Sequence, residues 1–213
     1  MLDLVIVGAG GFGREMYHWA RDCFAAEQYR IKGFLSAKPT DLDGFEIKAS
    51  IIGDPMDYVP QANDRLLFAI GLIDVKRRLI DALVAKGAQF ERLVHPTAIV
   101  CNTAKLGTGV VICPFVTVSD SVRVDDFAML NFYASCGHDA HVGAYSVLCP
   151  YATLNGFAVI EEEVFMGTHS TVTPSRRVGH HSKISANSLV SQNTQPHTLV
   201  FGVPGQHKRL FTA

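Results

Sequence analysis

The chain carries almost no excess charge: 19 Lys and Arg stand against 20 Asp and Glu, for a net charge of −1 and an isoelectric point near 6.7. That balance leaves no electrostatic footprint for nucleic acid or an anionic membrane surface, and neither is expected as a partner. No cationic leader precedes the first apolar run, which Asp3 and then glycines interrupt before Gly10. Neither a signal peptide nor a membrane span is expected there, and the cytoplasm is the default location. Cysteine is scarce and unpatterned. Cys23, Cys101, Cys113, Cys136 and Cys149 are odd in number and lack C-x-x-C spacing, so reduced core thiols are expected rather than a disulfide framework. Apolar content is plentiful, 48% of 213 residues, enough for one large domain or two modest ones.

The first 94 residues alternate between strand and helix signals. Leu2 to Val7 is an apolar run that leads directly into Gly8-Ala9-Gly10-Gly11-Phe12-Gly13, with Arg14, Glu15, Met16 and Trp19 following at helical spacing. Strand, glycine turn and helix in that order bring free N–H groups and the positive end of a helix dipole toward a phosphate or ribose, although G-x-G-x-x-G alone also fits a tight turn with no ligand. Further strands are predicted over Arg30–Leu35, Ile47–Ile52, Leu66–Ile70 and Phe90–Val94, with a helix over Asp74–Lys86 capped by Gly87. This is a small parallel α/β sheet, too short for a two-halved dinucleotide fold, which favours a mononucleotide-type ligand. A dinucleotide site would also need an acidic residue after the second strand, where this chain has Ser36-Ala37.

At His95-Pro96 the period changes. Counting in sixes from Val100 to Val190 meets only apolar residues, and two places before each stands a small or β-branched residue, Arg176 excepted. A helix repeats near 3.6 and an exposed strand at 2, so a hexad beat predicts a parallel β-helix with three flat faces and eighteen residues per coil. Val100, Val118, Cys136, Leu154, Val172 and Val190 should stack as one inward ladder. About five coils at ordinary strand spacing give a column of roughly 25 Å. The expected fold is therefore α/β plus β: a Rossmann-like domain over 1–94, then a β-helix over 95–213. The tail Phe201-Gly202-Val203-Pro204-Gly205 reads as too rich in glycine and proline for regular structure, and it ends in a basic cluster.

The glycine turn, the His95-Pro96 junction, the uninterrupted hexads, Cys136-Gly137-His138-Asp139 and Gly202-Val203-Pro204 together resemble the sialic acid O-acetyltransferase / UDP-4-amino-sugar N-acetyltransferase group of hexapeptide-repeat acyltransferases. The resemblance covers essentially the whole chain. It implies a left-handed β-helix, a homotrimer, acetyl-CoA as co-substrate, no metal, a nucleotide sugar on the N-terminal domain, and chemistry in the cleft between neighbouring β-helices. His138, two places past an inward residue, should point outward, and the resemblance makes it the general base, with Asp139 orienting it. Gly156, one coil further on, is the candidate oxyanion donor. Asn131 would position substrate or cap a turn. Gly10, Gly11 and Phe12 match the nucleotide-sugar turn, and Gly71 matches a glycine that follows the central strand. Gly167-Thr168 and Ser185-Ala186 would hold acetyl-CoA, with Lys208 or Arg209 on its phosphates.

Two departures stand out. Some relatives carry a second His nine residues after the base, where this chain has Val147, and relatives commonly carry an acidic residue at Ser36-Ala37. The expected activity is acetyl transfer to an amine of a nucleotide-linked sugar. The alternative is O-acetylation of sialic acid or another sugar. A zinc hydratase would need three convergent donors, and His138 and His141 lack the ligand spacing of that class. A nucleotide-binding regulatory module on a structural β-helix is the non-enzymatic reading.

Overall fold

The computed structural model describes residues 1–210, which fall into two compact units meeting between Leu93 and Val94. In the first unit β1 (Leu2–Val7) is followed by α1 (Gly11–Cys23), β2 (Tyr29–Leu35), β3 (Ile51–Gly53), β4 (Asp64–Phe68) and α2 (Ile73–Ala85). The four strands are parallel in the order β3-β2-β1-β4. β1 is central, and Val5, Ile6 and Val7 are wholly buried, as a parallel strand covered on both faces requires. Gly8 adopts φ +109°, and a side chain on Gly13 would collide with the Gly8 carbonyl, so these two glycines let the chain turn tightly from β1 into α1.

Two sequence expectations fail in this unit. The third strand forms only over Ile51–Gly53, because the preceding residues close into turns such as Ile47 N–H to Phe45 C=O, 2.8 Å. The segment expected to close the sheet gives only a single bridge from Phe90 to Leu66. Leu93–Val94 instead joins a sheet of the solenoid, where His95 N–H already donates to the Ile112 carbonyl at 2.9 Å. Among the described residues no helix is long and apolar enough to cross a membrane.

The second unit is a left-handed solenoid with three parallel sheets, built almost entirely from two-residue strands. Its stacking is the ladder implied by the repeat: Val100 pairs with Val118, Val118 with Cys136, Cys136 with Leu154, Leu154 with Val172 and Val172 with Val190. The small or β-branched residues two places earlier, such as Ala128, Ala134, Ala152 and Val164, are fully buried. From Phe115 to Asn187 every sixth residue takes φ between 53° and 61°. Left-handed backbone costs an L-residue about 1–2 kcal/mol, and the repeating inter-coil bonds, such as Asp139 N–H to Asp120 C=O at 3.0 Å, hold it there.

Except where proline stands, at Pro114, Pro150 and Pro174, this scheme leaves a corner backbone donor outside it. Among the described residues, the N–H two places beyond each inward aliphatic reaches no backbone carbonyl. Side chains cap some of these groups, as Asp126 does for Thr108 and Glu161 for His180. The tail is more regular than its composition suggests. Thr198–Phe201 adds to the sheet beside Lys183–Ile184, and Gln206–Arg209 pairs back on it antiparallel, because the glycines and prolines of 202–205 supply the turn rather than breaking the strands.

Candidate active site

His138 lies at the corner between the faces carrying Ser135–Cys136 and His141–Val142. The corner turns the adjacent side chains toward each other: His138 Nδ1 lies 2.9 Å from Asp139 Oδ2, which leaves Nε2 free to face outward. Both side chains are solvent-accessible, 59% and 41%. Phe157 packs edge-on against the imidazole at 5.1 Å between ring centroids. Gly156 stacks one coil on, and a Cβ placed there would sit 2.7 Å from His138 Cε1 and Nε2. Only glycine leaves room for the base. The Gly156 N–H is one of the uncapped corner donors, with no hydrogen-bond partner among the described residues. A base, its carboxylate and a free N–H thus lie together at one corner.

Asn131 has a different employment. Its carboxamide oxygen accepts the Phe132 N–H at 2.8 Å, capping the corner donor that Gly156 leaves open, so the geometry shows turn capping. Val147, where a second histidine stands in some relatives, is buried. Burial pushes the Cys136 thiol up to about 12, which holds it in the unreactive protonated form at neutral pH.

A shallow groove of about 380 Å³ is lined by Cys149, Phe165, Gly167, Thr168, Ser185 and Ala186. It lies at the next corner, at the opposite end of the face that carries Thr153–Leu154 and Thr171–Val172. Thr168 and Ala186 occupy the hexad position whose N–H is free, so each can donate to a ligand carbonyl. Gly167 cannot, since its N–H is bound to the Ile184 carbonyl at 2.8 Å. Its role is steric: a Cβ there would lie 2.6 Å from the Ala186 nitrogen and mask that donor. Lys208 is exposed and pairs with Leu199, which also lines the groove. The other histidines of the solenoid do not join His138: His141 bonds Asp125 at 2.7 Å, His169 stacks on Tyr151, and His180 and His181 lie at another corner.

In the α/β unit, Cβ atoms built on Gly10, Gly11 or Gly71 would meet no neighbour that excludes them. No internal packing demands glycine at these three positions, whereas it does at Gly8 and Gly13. α1 begins at Gly11 with no acidic residue in its first turn and no side-chain cap, so its leading N–H groups, Phe12's included, are open to an anion. A carboxylate nevertheless approaches Ser36 through space. The 37–41 turn brings Asp41 back to the end of β2, where Ser36 Oγ donates to its carboxylate at 2.5 Å. Sequence reading missed Asp41 because the carboxylate comes from five residues beyond the strand end. A larger cavity of about 770 Å³, lined by Tyr17, His18, Arg21 and Arg30, lies toward the end of α1 and the start of β2, away from the glycine turn.

Residues 3–83 match the PglD N-terminal domain. The GDP-perosamine N-acetyltransferase of Escherichia coli O157:H7 is 25% identical over 173 residues, 78% of this chain and 76% of that protein. PerB from Caulobacter crescentus, solved with CoA and GDP-perosamine, superposes with a TM-score of 0.86 at 25% identity, covering 97% of both chains. The acetyltransferase domain of PglB from Neisseria gonorrhoeae shares the fold, with a TM-score of 0.88 at 24% identity, covering 98% of this chain and 100% of that one. The unbroken hexads, the glycine-turn domain ahead of them and these matches make the chain similar, over nearly its whole length, to the hexapeptide-repeat acetyltransferases.

Proposed function

We propose that the protein transfers the acetyl group of acetyl-CoA directly to an amino group of a nucleotide-linked amino sugar, with His138 as general base. The observation that carries this reading is the corner where His138, tied to Asp139, stacks over the uncapped N–H of Gly156. The amine attacks the thioester carbonyl, and as the carbon–nitrogen bond forms the oxyanion accepts from Gly156. His138 Nε2 takes the amine proton while Asp139 stabilises the imidazolium. Collapse breaks the carbon–sulfur bond, and the imidazolium returns the proton to the CoA thiolate. Cys136, buried and protonated, offers no covalent relay. Asn131 belongs to the turn rather than to the substrate.

The acetyl donor fits the groove at Thr168 and Ala186, whose free N–H groups suit the amides of its pantetheine arm, with Lys208 or Arg209 near its phosphates. The groove and His138 stand at opposite ends of one face, so a single chain keeps base and donor apart. A homotrimer joins them, the base corner of one column facing the groove of the next. The nucleotide is held by the Gly10-Gly11-Phe12 turn, Gly71 and the Asp41 carboxylate. The acetyl-CoA requirement argues for the cytoplasm.

The test is CoA release and thermal stabilisation with GDP-, UDP-, dTDP- and CMP-linked amino sugars, GDP first because two of the relatives above, the Escherichia coli enzyme and PerB, are described with GDP-perosamine. If no nucleotide sugar moves either readout while free sialic acid moves both, the O-acetyl reading replaces this one. The shared site is tested by mixing His138→Ala chains with Ala186→Trp chains, each inactive alone. Random trimers should recover about a quarter of wild-type activity, and none at all would place both halves of the site on one chain.

A further inference from the structure

We infer that His180, His181 and His197 form a binding site for a divalent transition metal ion of the zinc class, separate from the acetyl-transfer site. Each ring offers one nitrogen, and the three nitrogens lie within 4.8 Å of one another. His181 and His197 stack nearly parallel, 15° apart with centroids at 4.9 Å, and His180 stands edge-on to both at 80°. Two further observations point to a ligand. His180 Nδ1 is buried without a hydrogen-bond partner, a cost that an ion would remove. His181 Nδ1 lies 2.9 Å from Glu163 Oε2, the carboxylate–histidine pairing that fixes a ligating imidazole and leaves Nε2 for the metal.

The cluster stands two coils and one corner beyond His138, so it is no part of the base assembly. Arg209 opposes a cation, while Glu163 beside His181 and Glu161, which accepts the His180 N–H at 2.8 Å, favour one. Zinc–nitrogen bonds of about 2.0–2.1 Å require the rings to close by roughly an ångström. Such an ion would tie the coil carrying His180 and His181 to the chain at His197, next to the strand Thr198–Phe201.

The test uses tag-free, chelator-treated protein titrated with ZnCl₂ by calorimetry and with CoCl₂ by absorption. One ion per chain with a dissociation constant below about 1 μM is expected, together with intense cobalt bands of a four-coordinate site and a higher melting temperature with zinc. His181 and His197 occupy left-handed corners at φ 53° and 55°, so His181→Asn with His197→Asn preserves the backbone, asparagine being at ease there. That double variant should lose at least about 100-fold in affinity, and Glu163→Gln about 10–100-fold. Substoichiometric uptake at 100-fold excess zinc over protein, or undiminished binding by the double variant, would overturn the inference.

Discussion

In the α/β unit the free backbone donors gather at helix starts, that of α1 having no acidic residue in its first turn, whereas in the solenoid they stand singly at corner positions such as Gly156, Thr168 and Ala186. The helix start is free because no turn precedes it to accept those N–H groups, and the aligned peptide dipoles make it a site for negative charge. The solenoid donor is free because the coil-to-coil bonding closes every other backbone group at the corner. It acts singly, with no macrodipole behind it. The first arrangement suits the fixed charge of a diphosphate, and the second suits a charge that appears only briefly on a carbonyl oxygen. Affinity should therefore belong to the first unit and turnover to the second.

The largest effect expected from that division is at the base. His138→Ala should lower kcat by roughly 10²–10⁴ while the KM values of both substrates stay nearly unchanged, the scale for losing a general base. Steady-state kinetics with each substrate varied checks it, and an active variant would move the chemistry to another corner. Next comes Gly156→Ala. It keeps the N–H but sets a methyl 2.7 Å from the imidazole, so the base must shift by about an ångström. A displacement of that size costs about 10²-fold in kcat. A loss that appears only in KM would mean that the corner binds substrate without taking part in the reaction.

The two units also differed in how much of them could be read from sequence. The solenoid was legible because each contact repeats at a separation of eighteen residues: one hexad predicts the next, and His138 and Gly156 could be stacked by counting. What counting missed was the left-handed corner, where Phe115, Tyr133, Tyr151 and His169 stack along one edge although nothing in aromatic chemistry favours positive φ. Counting also left open whether Asn131 caps a turn, and it did not show that the Gly167 N–H is bound to the Ile184 carbonyl. In the α/β unit the partners are set by loops of irregular length. The short third strand, the failure of Phe90–Val94 to close the sheet and the return of Asp41 to Ser36 all depend on turns that carry no period.

Polar burial separates the units again. The buried corner serines of the solenoid are neutral, Ser146 and Ser182 bonded to neighbouring backbone and Ser170 without a partner, whereas the α/β unit encloses an amine, Lys76, whose Nζ finds no partner. Burial drives its amine down to about 7. An amine whose folded-state pKa lies below its unfolded one is protonated more readily when unfolded, so stability rises between about pH 7 and pH 10.4 and the deficit is complete below 7. Lys76→Met keeps the volume and removes the charge. At pH 7 it should stabilise the protein by on the order of 2 kcal/mol, raising the melting temperature by at least about 4 °C. Its melting curve should lack the rise from pH 7 to 9 that the wild type shows. Equal pH slopes in the two proteins would mean that the amine is hydrated or paired.

The smallest expected effect bears most directly on the first unit's share of the work. Asp41 holds its carboxylate at the end of β2 through Ser36 Oγ, 2.5 Å away, where a carboxylate can accept from sugar hydroxyls or from a base edge. Asp41→Asn retains an oxygen to accept from Ser36, so the turn from Ser36 to Asp41 should persist while the charge disappears. If affinity resides in this unit, the KM of the nucleotide sugar should rise about tenfold, the size of one charge-assisted hydrogen bond, with kcat and the KM of acetyl-CoA unchanged. Ser36→Ala should give a weaker change of the same kind, because it frees the carboxylate without removing it. A fall in kcat at constant KM would instead tie this loop to turnover and end the division between the units. A KM change below about twofold would leave the nucleotide to the glycine turn alone.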